Sequence, residues 1–125
     1  KLRKGLNFGH TIGHAIETHF MSTDKKLLHG EAIAIGIIIE SYLSKQVYGF
    51  DIEKVDKIKN HLLTNFPKVK FNSSSINNII EVMEHDKKNN DEQVNFVLLS
   101  DIGKLVFDVN VPKSTILKAF EYYSE

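Results

Sequence analysis

Arg3, Asn7, His10 and His14 are spaced 4, 3 and 4 residues apart. On a continuous helix, at about 100° per residue, they fall within a wedge of roughly 60°. A guanidinium, a carboxamide and two imidazoles would therefore project from one stripe. A solvated helix face more often carries Lys and Glu, because His and Asn are only middling helix formers. His10 and His14, one turn apart, can face one cation. Two imidazoles alone make a weak site, since a catalytic zinc generally has three protein ligands and one open position. The next candidate is His29, directly before Gly30 and Glu31. By itself His29 reads as structural, because it follows Leu27 and Leu28, which are expected to be buried. Glu31 reads as a first-turn carboxylate that complements the helix dipole. His19, about 160° from Arg3 around the same helix, reads as a surface residue or a C-terminal helix charge.

The elements that must position these groups follow from the apolar spacing. Leu2, Leu6, Phe8, Ile12, Ala15, Ile16 and Phe20 predict a first helix from Leu2 to Phe20. Gly5, Gly9 and Gly13 recur four apart along it. Each interior glycine costs about 0.5–1 kcal/mol relative to alanine. A strip of them allows close approach by another backbone or by a ligand, and for the glycines alone tight helix packing is the simpler reading. His29 to about Tyr48 reads as a second helix, apolar nearly all round and so buried, closed by Gly49. Asp51 caps a third, which runs to about Asn65 before Pro67. Ser73 to Ser75 signal a start for a short helix over Ile76 to Glu84. Val94–Leu99 and Lys104–Val109 read as a hairpin, and Pro112 opens a last helix to about Tyr123. The predicted fold is mainly α, a helical domain with a small β-hairpin.

Sixteen basic residues balance sixteen acidic ones over 125 residues, which gives no electrostatic reason to expect nucleic acid or an anionic membrane as partner. There is no cysteine, so disulfides and thiolate metal sites are excluded, and the six histidines are the available soft ligands. The longest apolar stretch, Ala32 to Ile39, is eight residues, where about twenty are needed to cross a bilayer. The expectation is a soluble, cytoplasmic protein. No Gly-x-Gly-x-x-Gly follows a strand and no βαβ alternation is present, so a dinucleotide site is not expected within these residues. The opening at Lys1 reads as the interior of a longer chain.

Three blocks carry a family resemblance. Leu6-Asn7-Phe8-Gly9-His10-Thr11-Ile12-Gly13-His14-Ala15-Ile16-Glu17 is followed by Leu28-His29-Gly30-Glu31-Ala32-Ile33-Ala34-Ile35-Gly36, and then by Asp86-Lys87-Lys88 with Val94 to Leu99 and Ile102-Gly103 after it. In order and spacing this resembles the C-terminal domain of the 3-dehydroquinate synthases, which are sugar-phosphate cyclases. The first block is the specific one. Leu-His-Gly-Glu-Ala is shared more widely with iron-type alcohol dehydrogenases. Asn89 to Gln93 departs from the family, which often has a glycine before the strand, and only a changed loop is expected there.

The resemblance implies roles that spacing does not give. His10 and His29 would be two ligands of a divalent metal, zinc or cobalt. The third would be a glutamate from a nucleotide-binding domain that lies N-terminal to these residues, which makes Glu31 an unlikely ligand. His14 would sit beside the substrate phosphate rather than on the metal, in place of the His10–His14 pair. Arg3 and Asn7 would anchor the substrate, with Arg3 on its carboxylate, because a planar fork meets a carboxylate bidentately. Lys87 or Lys88, with Lys88 favoured, would reach the substrate from the later loop; otherwise the two read as a solvated charge pair. The implied reaction converts 3-deoxy-D-arabino-heptulosonate 7-phosphate to 3-dehydroquinate and phosphate in the shikimate pathway, with NAD reduced and reoxidised within one turnover. NAD would bind mainly on the N-terminal domain, so these residues alone are expected to be inactive, and the full-length protein is expected to be a homodimer. Two alternatives stand beside this reading. One is another sugar-phosphate cyclase, such as a 2-deoxy-scyllo-inosose synthase, whose substrate lacks a carboxylate. The other is a non-catalytic helical interaction module.

Overall fold

The most apolar helix organises the rest. In the computed structural model, residues 9–21, 23, 27–87, 94–101 and 104–125 are described. In chain order they form α1 (His10–Met21), α2 (His29–Tyr48), α3 (Ile52–Asn65), α4 (Ser73–Lys87), β1 (Val94–Asp101), β2 (Lys104–Val111) and α5 (Lys113–Ser124). Helix α2 packs against α1, α3, α5 and β1, so it runs through the middle of the domain. Its residues Ala32, Ile35, Ile38, Ile39 and Leu43 are buried. They meet Ile12 and Ile16 of α1, Ile79 and Met83 of α4, and Phe120 and Tyr123 of α5 in one continuous core. Each large apolar side chain fully buried there contributes about 1.5–3 kcal/mol.

Local chemistry sets the element ends. Gly49 closes α2 in the left-handed conformation at φ 73°, and its N–H donates to the carbonyl of Lys45 at 2.9 Å. The side chain of Asp51 caps α3 by accepting from the N–H of Glu53 at 3.0 Å. Both ends match the sequence expectation. Helix α4 is longer than the expected Ile76–Glu84. Its cap is Asn72, whose Oδ1 accepts from the N–H of Ser75 at 2.8 Å, so Ser73 is already helical.

The two strands pair antiparallel as a hairpin, with Val94 opposite Val111 and Phe96 opposite Val109. The register shifts between Phe96 and Leu98 and again between Leu99 and Asp101. Phe96, Leu98, Val109 and Val111 are buried toward the helices, the alternation expected of a half-covered sheet. Both strands reach two residues further than the apolar runs suggest. Ser44 ties α2 to the sheet: its hydroxyl donates to the carbonyl of Glu40 at 2.9 Å and accepts from the N–H of Leu99 at 2.8 Å.

The first helix requires a correction. It begins at His10, and Gly9 has φ 85°. A right-handed helix cannot run through that conformation. The helix expected from Leu2 to Phe20 is therefore not continuous through Gly9, and its part before Gly9, with Arg3 and Asn7, lies outside the described residues. A second correction concerns Leu28, expected to be buried but 73% exposed. Among the described residues no helix is long and apolar enough to cross a membrane.

Candidate metal and substrate site

The helices α1 and α2 lie close because glycine faces glycine. A Cβ on Gly36 would fall onto the carbonyl oxygen of Gly9 and within 2.8 Å of the nitrogen of Gly13. A Cβ on Gly13 would stand 2.6 Å from Cδ1 of Ile33 and 3.2 Å from the carbonyl oxygen of Ala32. The glycine strip of the first block is thus used for helix packing. Gly36, outside that strip, supplies the facing half of the seam.

This close packing sets the first residue of α1, His10, beside the first residue of α2, His29, with His14 one turn further along α1. The three ring centroids form a triangle with sides of 5.5 Å (His10–His14), 6.0 Å (His14–His29) and 6.2 Å (His10–His29). The structure therefore brings together both candidate ligand pairs. The rings of His14 and His29 are exposed and that of His10 is half-buried.

One contact orients His29. Its Nδ1 lies 2.9 Å from Oε1 of Glu17 on α1. A carboxylate only accepts, so Nδ1 carries the hydrogen, and Nε2 is the ring nitrogen left for another partner. A carboxylate behind a ligating imidazole commonly fixes the ring and its tautomer in metal sites. Glu17 stands in the first sequence block, but spacing alone assigns it no role. The signal that could have found it is its place three residues after His14, on the same side of α1.

Glu31 is engaged elsewhere: its Oε1 accepts from the N–H of Leu28 at 2.9 Å, which ties it to the start of α2. That fits the expected helix-end carboxylate. His19 lies in the last turn of α1, its Nδ1 2.8 Å from Oδ1 of Asn78 and its ring edge-on to Phe20. Arg3, Asn7 and Lys88 lie outside the described residues, as do the loop 89–93 and the pair Ile102-Gly103. The backbone of Lys87 ends α4, but its side chain is also outside them.

Among the described residues no group of three or more His, Asp or Glu side chains could hold a metal ion. The donors present nevertheless fit part of such a site. Imidazole nitrogens suit zinc and cobalt, and with Nδ1 turned to Glu17, Nε2 is the nitrogen of His29 left for a metal. The set is two histidines in need of a further ligand.

Comparisons with known proteins bear on the family. Residues 1–89 match the family described as 3-dehydroquinate synthase C-terminal. A 3-dehydroquinate synthase of Parabacteroides distasonis is 39% identical over 124 residues, covering 99% of this chain and 35% of that protein. One of Clostridium tetani is 41% identical over 122 residues, covering 95% of this chain and 31% of that protein. The chain thus spans about a third of the length of these relatives. Among solved structures, a 2-deoxy-scyllo-inosose synthase complexed with carbaglucose-6-phosphate, NAD+ and Co2+ is similar with a TM-score of 0.72 and 26% identity, over 93% of this chain and 34% of that one. With the sequence blocks, the helical fold and the match over most of its length in agreement, the chain belongs to the 3-dehydroquinate synthase C-terminal family.

Proposed function

We propose that this domain holds the metal and the substrate in a 3-dehydroquinate synthase, which releases phosphate from 3-deoxy-D-arabino-heptulosonate 7-phosphate and closes the carbocycle of 3-dehydroquinate, a step of the shikimate pathway. The observation that carries the proposal is the convergence of His10, His14 and His29, with Glu17 behind His29.

In this reading His10 and His29 hold a divalent cation, zinc or cobalt, whose third protein ligand comes from the nucleotide-binding part of the longer protein. A metal bound there supplies Lewis-acid polarisation of substrate oxygens, and NAD bound by the other domain supplies a hydride acceptor. The work of the described residues is positioning. Glu17 holds the Nδ1 hydrogen of His29 and leaves Nε2 for the cation. His14, beside both ligands and exposed, is within reach of a substrate lying on the pair, where its imidazole can hold a proton at a phosphate oxygen. Arg3 and Asn7 anchor the substrate carboxylate, and Lys88 or Lys87 contacts the substrate from the loop after α4. The full-length protein would work in the cytoplasm as a homodimer.

A second reading, a cyclase for a sugar phosphate without a carboxylate, draws support from the likeness to 2-deoxy-scyllo-inosose synthase. The higher identity to 3-dehydroquinate synthases favours the first. The test is phosphate release by the full-length protein with NAD and metal, from the heptulosonate phosphate and from a hexose 6-phosphate. Release from the heptulosonate phosphate alone supports the first reading, and release from the hexose phosphate alone supports the second. Release from neither, by a protein that holds NAD and metal, removes both.

A further inference from the structure

The least expected charge in the domain is Glu40. It lies in α2, the most apolar helix, and is fully buried. Its side chain crosses to the neighbouring helix. Oε1 accepts from the N–H of Gly9 at 2.8 Å, and Oε2 accepts from the N–H of Ile12 at 3.2 Å.

Those two donors have a definite place. The carbonyl of Gly9 accepts the first bond of α1 from the N–H of Gly13 at 3.0 Å, so Gly9 is the cap residue and Ile12 is the third helical residue. A capping box satisfies the same pair of donors with two local side chains: one on the cap residue serves the third N–H, and one on the third residue serves the cap N–H. Here the cap residue is glycine and the third residue is isoleucine, so neither can do so. One carboxylate from another helix takes both parts, across 31 and 28 residues of sequence.

The helix end fixed in this way begins with His10, and the helix that supplies the carboxylate begins with His29. Glu40 therefore joins the two candidate ligands through rigid backbone: it fixes the first turn of α1 on the same helix that carries His29. A glycine at position 36 lets the two backbones come close enough for this. We propose that Glu40 is a positioning residue for the metal-holding pair, and that it sets where the ring of His10 stands relative to that of His29. This rests on the proposed metal-holding role of His10 and His29.

The test uses the full-length protein with NAD bound. Cobalt(II) and zinc(II) affinities are measured by chelator competition, together with the visible spectrum of the cobalt form. Glu40→Gln replaces one acceptor by an amide NH2 that faces a backbone donor. Glu40→Asp keeps both acceptors and the charge but is too short to serve both N–H groups, and circular dichroism checks that each variant is folded. Losses among groups that orient metal ligands run to about 10–100-fold in affinity, and a loss of that order is expected for both variants, with an altered cobalt spectrum. Two reference variants separate the possible causes. Tyr123→Phe, in the core on α5, lowers stability and leaves affinity and spectrum unchanged. His10→Ala loses the metal.

If Glu40→Asp or Glu40→Gln binds cobalt with wild-type affinity and spectrum while His10→Ala does not, the positioning role is overturned and the metal reading stands. Should Tyr123→Phe weaken the metal as much as Glu40→Asp does, Glu40 acts only through general stability, and the proposal fails. Retention of metal by His10→Ala removes the metal reading and this inference with it.

Discussion

Oε1 of Glu17 stands 2.9 Å from Nδ1 of His29, across the seam between α1 and α2. The contact links the end of the first sequence block to the start of the second, and it decides which nitrogen of His29 is available. In the full-length protein Glu17→Ala should weaken metal binding by about 10–100-fold. Glu17→Gln keeps an oxygen acceptor for the Nδ1 hydrogen and should lose less. Chelator competition gives the order of affinities; equal affinity for all three proteins would mean that the carboxylate does not orient a ligand.

The three histidines should separate by metal content. His10→Ala or His29→Ala should strip the metal and abolish turnover, a larger loss than that of an orienting group. His14→Ala should keep the metal and lose turnover. Elemental analysis of the purified full-length variants distinguishes these outcomes, and a metal-free His14 variant would restore the pair suggested by helical spacing alone.

Arg3→Lys should behave as a substantial change in the full-length enzyme. Lysine keeps the charge but loses the planar two-point contact to a carboxylate. The expected effect is a raised KM for the heptulosonate phosphate. An unchanged KM would point to a substrate without that carboxylate.

Gly36→Ala should be costly. The added methyl would meet the Gly9 carbonyl and the Gly13 nitrogen, both backbone atoms that cannot swing aside. Overpacking typically costs about 1–3 kcal/mol, and a fixed backbone contact belongs at the upper end of that range. Thermal unfolding of the full-length protein should show a lower Tm, and metal affinity should fall as α1 and α2 separate. A wild-type Tm would show that the seam yields easily.

Stability should decline in alkali. Burial, with Asp56 accepting the hydroxyl hydrogen at 2.6 Å, pushes the Tyr122 hydroxyl well above the ordinary tyrosine range. Burial also raises Tyr123, opposed by the N–H of Val69. A raised folded-state value means that the unfolded chain ionises first. The stability these groups contribute is thus fully present below about pH 10 and is lost as pH climbs beyond it. Lys59, lowered mainly by burial, has the opposite slope. Denaturant titrations of Tyr122→Phe between pH 8 and about 11 should show a shallower decline than the wild type; an identical slope would assign the loss to other groups.

Most of the fold was legible because it rests on local signals. The apolar run of α2, the closing Gly49, the Asp51 cap and the hairpin all follow from residues near one another in sequence. The start of α1 was not, because periodicity continues through Gly9 while the backbone does not. The N–H at that break is held by a carboxylate 31 residues away, and no local pattern reports that. Glu40 did leave one trace, an acid set among isoleucines in a helix that reads as buried. For the site, the residue types were legible but their partners were not. The histidines are visible at once, whereas the link from Glu17 to His29 exists only after two helices have packed. The exposure of Leu28 shows the same limit from the other side, since an apolar residue at a helix start can equally face outward.

The central position of α2 has a consequence for engineering. In many enzymes the scaffold and the reactive centre can be altered separately, and stabilising substitutions are sought in the scaffold. On the proposed function one helix is both, because it carries His29 at one end, Glu40 midway and a run of buried residues between them. A better-packed interior along that helix would shift the groups it carries. Robustness is therefore better sought on the outward faces of α3 and α5, where a gain in durability leaves the geometry of the histidines untouched.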